Sequence, residues 1–234
     1  MDARHERLRP ERIGCSGGDV NRVKVKTVCS IALVLALALP GLLSSQSKIT
    51  LAGLEASKTL GSRNAPITIE VFSDFQCPQC RIFYLTTTRQ LIDNYVSTGK
   101  VLLVHRDFPL AMHPYSRDAA RWANAAAAVG SGVFQTVETA LYNKQDQWGA
   151  TGRIEPVLAA ALSPADMKRV QTIQINETAQ LDAAIARDMA HGTTRRVNAT
   201  PSIYVIHGGQ TTPLPPGGVN YVLLKQYLDS LLKR

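Results

Sequence analysis

Three kinds of hydrophobic pattern alternate along the chain. An apolar run, VCSIALVLALALPGLL, covers Val28 to Leu43 with only Ser30, Pro40 and Gly41 interrupting it. Short β-branched runs come later: ITIEVF at Ile67–Phe72, VLLVH at Val101–His105 and SIYVI at Ser202–Ile206, each bounded by proline, glycine or polar residues. These read as strands. Between them the apolar positions recur at helical spacing. Over Arg81–Ser97 they fall at Ile82, Phe83, Leu85, Leu91, Ile92, Tyr95 and Val96, and Gly99 supplies a C-terminal cap. Tyr115–Val129 is alanine-rich and helix-forming, and Ser131–Trp148 aligns Val133, Phe134, Val137, Ala140 and Leu141. Ser163-Pro164-Ala165-Asp166 offers an N-cap, a proline at the first helical position and an early acid, opening helix toward Gly192 over a length that predicts a break. His207-Gly208-Gly209 reads as a turn, and Val219–Leu232 as a closing amphipathic helix.

This order predicts an α/β chain in which helices over 112–192 separate two parts of one sheet, 66–111 and 193–234, with a linker over 46–65. The segments before it carry an address. A Lys/Arg-rich leader over 1–27 precedes the apolar run, and residues 28–45 then read as a signal peptide, or as an N-terminal anchor, because Leu43-Ser44-Ser45 is a poor cleavage site. The basic flank places that end in the cytoplasm and the remainder outside it, periplasmic or otherwise extracytoplasmic. From Gln46 onward, 19 Lys/Arg against 14 Asp/Glu leave +5 of the total +8, with no basic stripe or interleaved aromatics, which argues against nucleic acid.

Compartment sharpens the meaning of the cysteines. Of four, Cys15 and Cys29 lie in the leader and apolar run, so the exported part holds only Cys77 and Cys80. A bridge over two intervening residues closes too small a loop to stabilise much. A zinc site calls for further ligands, and His105, His113, His191 and His207 are scattered, so no metal is expected. Reversible redox chemistry remains. The pair falls at a strand-to-helix junction with Cys77 at the N-cap and Pro78 at the first helical position, where the unpaired amides and the dipole favour a thiolate. Cys80, one turn further in, is placed to attack a mixed disulfide at Cys77.

FSDFQCPQC, Phe72–Cys80, following a strand, resembles the DsbA family of the thioredoxin superfamily, in the branch with a D-F-x-C-P-x-C segment. HRDFPL at His105–Leu110 and VNATPSIYV at Val197–Val205 resemble two further family segments, the latter with Ala199 in place of the usual glycine. The resemblance implies a thioredoxin-like fold with an inserted helical domain, and thiol:disulfide exchange with cysteine-containing exported proteins, most simply in the oxidising direction. It implies Cys77 and Cys80 as the catalytic pair, Pro78, Gln79, Thr200 and a cis Pro201 as active-site support, and Phe75, Ala199, Thr200 and Pro201 as substrate contacts. The dithiol is itself the redox group, so no cofactor is expected, and a membrane redox partner is needed for reoxidation. A reductase or isomerase, or a non-catalytic redox-sensing module, are the alternatives. Thioredoxin-like folds often hold a buried acid six residues before the first cysteine; Val71 stands there, with Glu70 and Asp74 nearby. His113 reads as a loop residue, and Trp122 and Trp148 as helix packing.

Overall fold

The computed structural model describes residues 49–233, so the basic leader and the expected signal or anchor lie outside the described residues. Among the described residues no helix is long and apolar enough to cross a membrane. The segment expected as a linker is instead structured. Helix α1 (Leu51–Ser57) is capped by the Thr50 side chain, which accepts from the Gly53 amide, and strand β1 (Thr59–Leu60) pairs antiparallel with the strand over residues 101–107. Seven helical residues and a two-residue strand are too short to show periodicity. Contacts far along the chain hold them in place.

Strand β2 (Ile67–Ser73) leads into α2 over residues 78–96 and then β3 (Val101–Asp107), parallel to β2. Helix α2 widens into π-helical turns at Tyr84–Thr88 and Ile92–Val96. Hydroxyl and amide side chains bond back to carbonyls four residues earlier along it, as Thr86 does to Ile82 at 2.8 Å, competing with the backbone ladder. Five helices follow as α3 (Ser116–Val129), α4 (Ser131–Asn143), α5 (Gln145–Trp148), α6 (Ile154–Ala161) and α7 (Pro164–Asn176), with α8 (Thr178–Thr194) completing the insertion. The single helix expected over Ser131–Trp148 breaks at Lys144, whose backbone turns out of helix (φ −111°), and the expected break before Gly192 falls at Glu177. Strand β4 (Ser202–His207) lies antiparallel to β2, followed by β5 (Gln210–Pro213) and α9 (Tyr221–Leu232).

The sheet order is β1-β3-β2-β4-β5, which puts β2, the strand that ends at the dithiol, in the centre. On one face Ile67, Ile69, Val71, Leu103, Ile203 and Val205 pack with Phe83, Leu91, Leu224 and Leu228 of α2 and α9. Helix α8 covers the other face at close range. A Cβ on Gly192 would stand 2.6 Å from the Phe108 ring and 3.2 Å from that of Phe72, so only glycine lets the helix approach. A second core joins the helical insertion to α1 and to the dithiol itself.

Candidate active site

The turn between β2 and α2 carries the two thiols. Asp74 shapes it: its Oδ1 accepts from the Gln76 amide (2.7 Å) and its backbone carbonyl from the Cys77 amide (3.1 Å). The other carboxylate oxygen, Oδ2, accepts from the Leu110 amide and contacts His113 Nδ1 at 2.7 Å, tying the turn to the loop after β3. Cys77 is the N-cap of α2 and Pro78 begins the helix, as the spacing predicts. Both thiols are free and buried, and Pro78 and Gln79 are exposed.

The two sulfurs titrate in opposite directions. The Cys80 thiol hydrogen-bonds to Cys77 and favours its anion against the cost of burial; Thr200 and the amides of Cys80 and Gln79 add to this, lowering the Cys77 pKa to about 5. Cys80 is pushed well above its ordinary value, first by burial and then by the neighbouring Cys77. The Asp74 amide points at the Cys80 sulfur from 3.5 Å.

Thr200 and Pro201 arrive from the far end of the chain. Their peptide bond is cis, and Cys77 Sγ lies 3.4 Å from the Thr200 carbonyl. Ala199 precedes them half-buried, its carbonyl accepting from the Ser202 hydroxyl. Phe75 is a correction to the expected substrate contacts. Its ring is 1% exposed, stacked on His105 and against Tyr142, and so has no face left for a substrate. Trp122 and Trp148 are buried in the helical core, and His113 sits in a loop.

Beneath the dithiol lies a charged cluster that sequence reading did not assemble. Lys58 is buried between Asp107 and Asp188, with the Asp188 contact at 2.6 Å. His105 joins Asp107 (3.2 Å) to Glu138 (2.9 Å), and Asn124 donates to Asp107. Burial disfavours a charged His105, but the hydrogen bonds to Asp107 and Glu138 outweigh it and hold its pKa at about 9. Asp107 is correspondingly held far down, against its burial, by Lys58 and His105. A cavity of about 20 Å³ is lined by Cys80, Ser73, Tyr142, His105, Glu138 and Lys58, enough for one water molecule. Val71 occupies the position of the acid that thioredoxin-like folds often hold; Glu70 is engaged by Arg106, Arg195 and His191 instead. The carboxylate that shares a cavity with Cys80 is therefore Glu138, from the insertion. One signal for it existed: Glu138 falls between Phe134 and Leu141 on the apolar stripe of α4.

Residues 54–216 match the family model described as thioredoxin. The chain belongs to the thioredoxin family. Within it the chain is a DsbA-like thiol:disulfide oxidoreductase, an assignment that rests on its relatives. The "Probable disulfide bond formation protein D" of Bacillus cereus is 22% identical over 188 residues, covering 76% of this chain and 79% of that one. DsbA2 of Pseudomonas aeruginosa is 25% identical with a TM-score of 0.58, covering 72% and 91%. Wolbachia pipientis alpha-DsbA1 shares the fold at 20% identity, with a TM-score of 0.61 over 75% and 90%. The thioredoxin-like fold with its helical insertion is the one that the DsbA resemblance implies.

Proposed function

We propose that this DsbA-like chain oxidises pairs of cysteines in exported proteins, with Cys77 as the nucleophile and Cys80 as the resolving thiol. The observation that carries the reading is the opposed titration of the two sulfurs, Cys77 lowered to about 5 and Cys80 raised. A thiolate stabilised in the reduced form makes the disulfide easier to reduce, and hence a stronger oxidant. In the oxidised enzyme a substrate thiolate attacks the Cys77 sulfur of the Cys77–Cys80 disulfide. That S–S bond breaks, Cys80 leaves as a thiolate that takes up a proton, and substrate and Cys77 are joined. A second substrate thiolate attacks the substrate sulfur of this mixed disulfide. The substrate disulfide forms and Cys77 leaves as the stable thiolate, so two electrons have passed to the enzyme.

The dithiol holds those electrons without a cofactor, and a membrane redox partner returns it to the disulfide. The basic leader and apolar run support an extracytoplasmic site for the reaction, by cleaved signal or retained anchor. Pro78 and Gln79 shape the helix start, while Ala199, Thr200 and Pro201 offer backbone to an extended substrate beside the sulfurs. The test is the equilibrium potential of the Cys77–Cys80 couple against glutathione, together with oxidation of a reduced two-cysteine peptide. The expected result is a potential nearer the roughly −120 mV of DsbA than the roughly −270 mV of thioredoxin, with stoichiometric peptide oxidation. A thioredoxin-like potential with insulin reduction would make it a reductase. Capture of peptide without release would make it a thiol-binding module.

A further inference from the structure

The helical insertion does more than cover the sheet, because it grips the turn that carries the nucleophile. Gln145, 7% exposed at the start of α5, spends both hydrogens of its side-chain amide on that turn. Its Nε2 donates to the Phe75 carbonyl at 2.7 Å and to the Cys77 carbonyl at 3.0 Å. Gln76, between those two residues, returns the grip: its Nε2 donates to the Gly149 carbonyl (2.7 Å) and its Oε1 accepts from the Tyr115 amide (2.8 Å). Four hydrogen bonds therefore tie the three residues Phe75–Cys77 to the insertion. The far side of the clamp is itself confined. Gly149 lies so close to the Gln145 carbonyl that a Cβ there would meet it at 2.6 Å, and Gly152, at φ +71°, passes against the Tyr115 ring.

The Cys77–Pro78 peptide has no N–H, so its only polar atom is the Cys77 carbonyl oxygen. That oxygen accepts from the Arg81 amide within α2 and from Gln145 outside it. Without Gln145 one donor remains, and the peptide is free to tilt at the point where the chain enters the helix. Beside the Cys80 thiol and Thr200, the groups that stabilise the Cys77 anion are the amides of Cys80 and Gln79, and these belong to that first turn, as does Cys80 itself. Their effect on the sulfur depends on direction as well as on distance.

We propose that Gln145 is a positioning residue of the dithiol: by holding the Phe75 and Cys77 carbonyls it fixes the turn so that the helix-start amides remain aimed at the Cys77 sulfur. The inference rests on Cys77 being the nucleophile. It assigns the insertion a part in setting the redox chemistry, distinct from its part in stability.

The experiment is the rate of iodoacetamide alkylation of Cys77 against pH, on reduced full-length protein in a Cys80→Ser background, with thermal melting of the same samples. Three changes are compared: Gln145→Met, which keeps the length and loses both donors; Gln145→Asn, one methylene too short to hold both carbonyls; and Leu158→Ala, a core cavity in α6 that removes no hydrogen bond to the turn. Both Gln145 variants are expected to be alkylated roughly tenfold more slowly at pH 4 while matching the parent at pH 9, which corresponds to about 1.4 kcal/mol less thiolate stabilisation. Leu158→Ala is expected to lower the melting temperature and leave the profile in place. A parent profile titrating below the free thiol's ~8.5, with Gln145→Met and Gln145→Asn profiles superimposed on it, would overturn the positioning role alone. Equal movement by Leu158→Ala would overturn it too, by reducing it to stability. A parent titrating at or above the free thiol's ~8.5 would remove the nucleophile assignment and this proposal with it.

Discussion

At Cys77 and His105, two buried groups respond to pH in opposite directions. The Cys77 pKa is lowered to about 5 in the folded, reduced protein, so the stabilisation is present above the unfolded thiol's ordinary value and is lost as pH falls toward 5. That of His105 is raised to about 9, so its contribution is complete below about 6.5 and is lost as pH rises through 9. Only the reduced form contains the thiolate. Melting both redox forms from pH 5 to pH 9 is therefore expected to show the reduced protein gaining on the oxidised one as pH rises. A constant difference across that window would remove the thiolate as its source. Substitution separates the two sulfurs: Cys77→Ser is expected to abolish peptide oxidation, and Cys80→Ser to accumulate a mixed disulfide through Cys77, detectable by mass. Adducts at Cys80 in the Cys77→Ser protein would reverse the assignment. These positions were legible because C-x-x-C after a strand and before a helix is a local pattern, and Thr-Pro before a strand is another. Phe75, a substrate contact only by resemblance, is buried instead, because a motif does not say which way a ring turns. Glu138 and Gln145 were missed because each reaches the site across the fold.

Secondary-structure elements show the same division. Long periodic helices and β-branched strands declared themselves, whereas α1, β1, α6 and β5 are short and exist through their neighbours. The segment over 46–65 looked like a connector because its one decisive residue, Lys58, is an ordinary surface type until Asp107 and Asp188 surround it. Lys58→Met would leave two buried carboxylates short of a cation. A loss of at least about 3 kcal/mol is expected, or about 6 °C or more in melting temperature for a domain of this size. A melt within a degree of the parent would show the cluster to be unimportant for stability. Helix α8 makes a steric claim instead. Gly192→Ala places a methyl 2.6 Å from the Phe108 ring, and a cost of about 1–3 kcal/mol in urea unfolding is expected despite alanine's better helix propensity. A stabilised variant would mean that α8 can retreat from the sheet.

For the whole molecule, the thioredoxin-like architecture was readable because the order of patterns, strand–helix–strand, then helices, then strand–helix, admits few topologies. What the order could not convey is that the chain changes cores at the dithiol: Cys77 and Cys80 belong to the core of the insertion, while Val71 and Phe83, on either side of them in the chain, belong to that of the sheet. The central position of β2 has a consequence for the way the protein is made. On one side β2 pairs with β3, which follows within about 30 residues, but on the other it waits for β4, where Ile67 meets His207 and Phe72 meets Ser202. A chain emerging N-terminus first from a ribosome or a translocation channel presents both thiols long before Thr200 and Pro201 exist to flank them. Until the last strands emerge, the pair is an unguarded dithiol, open to any oxidant or stray cysteine that it meets.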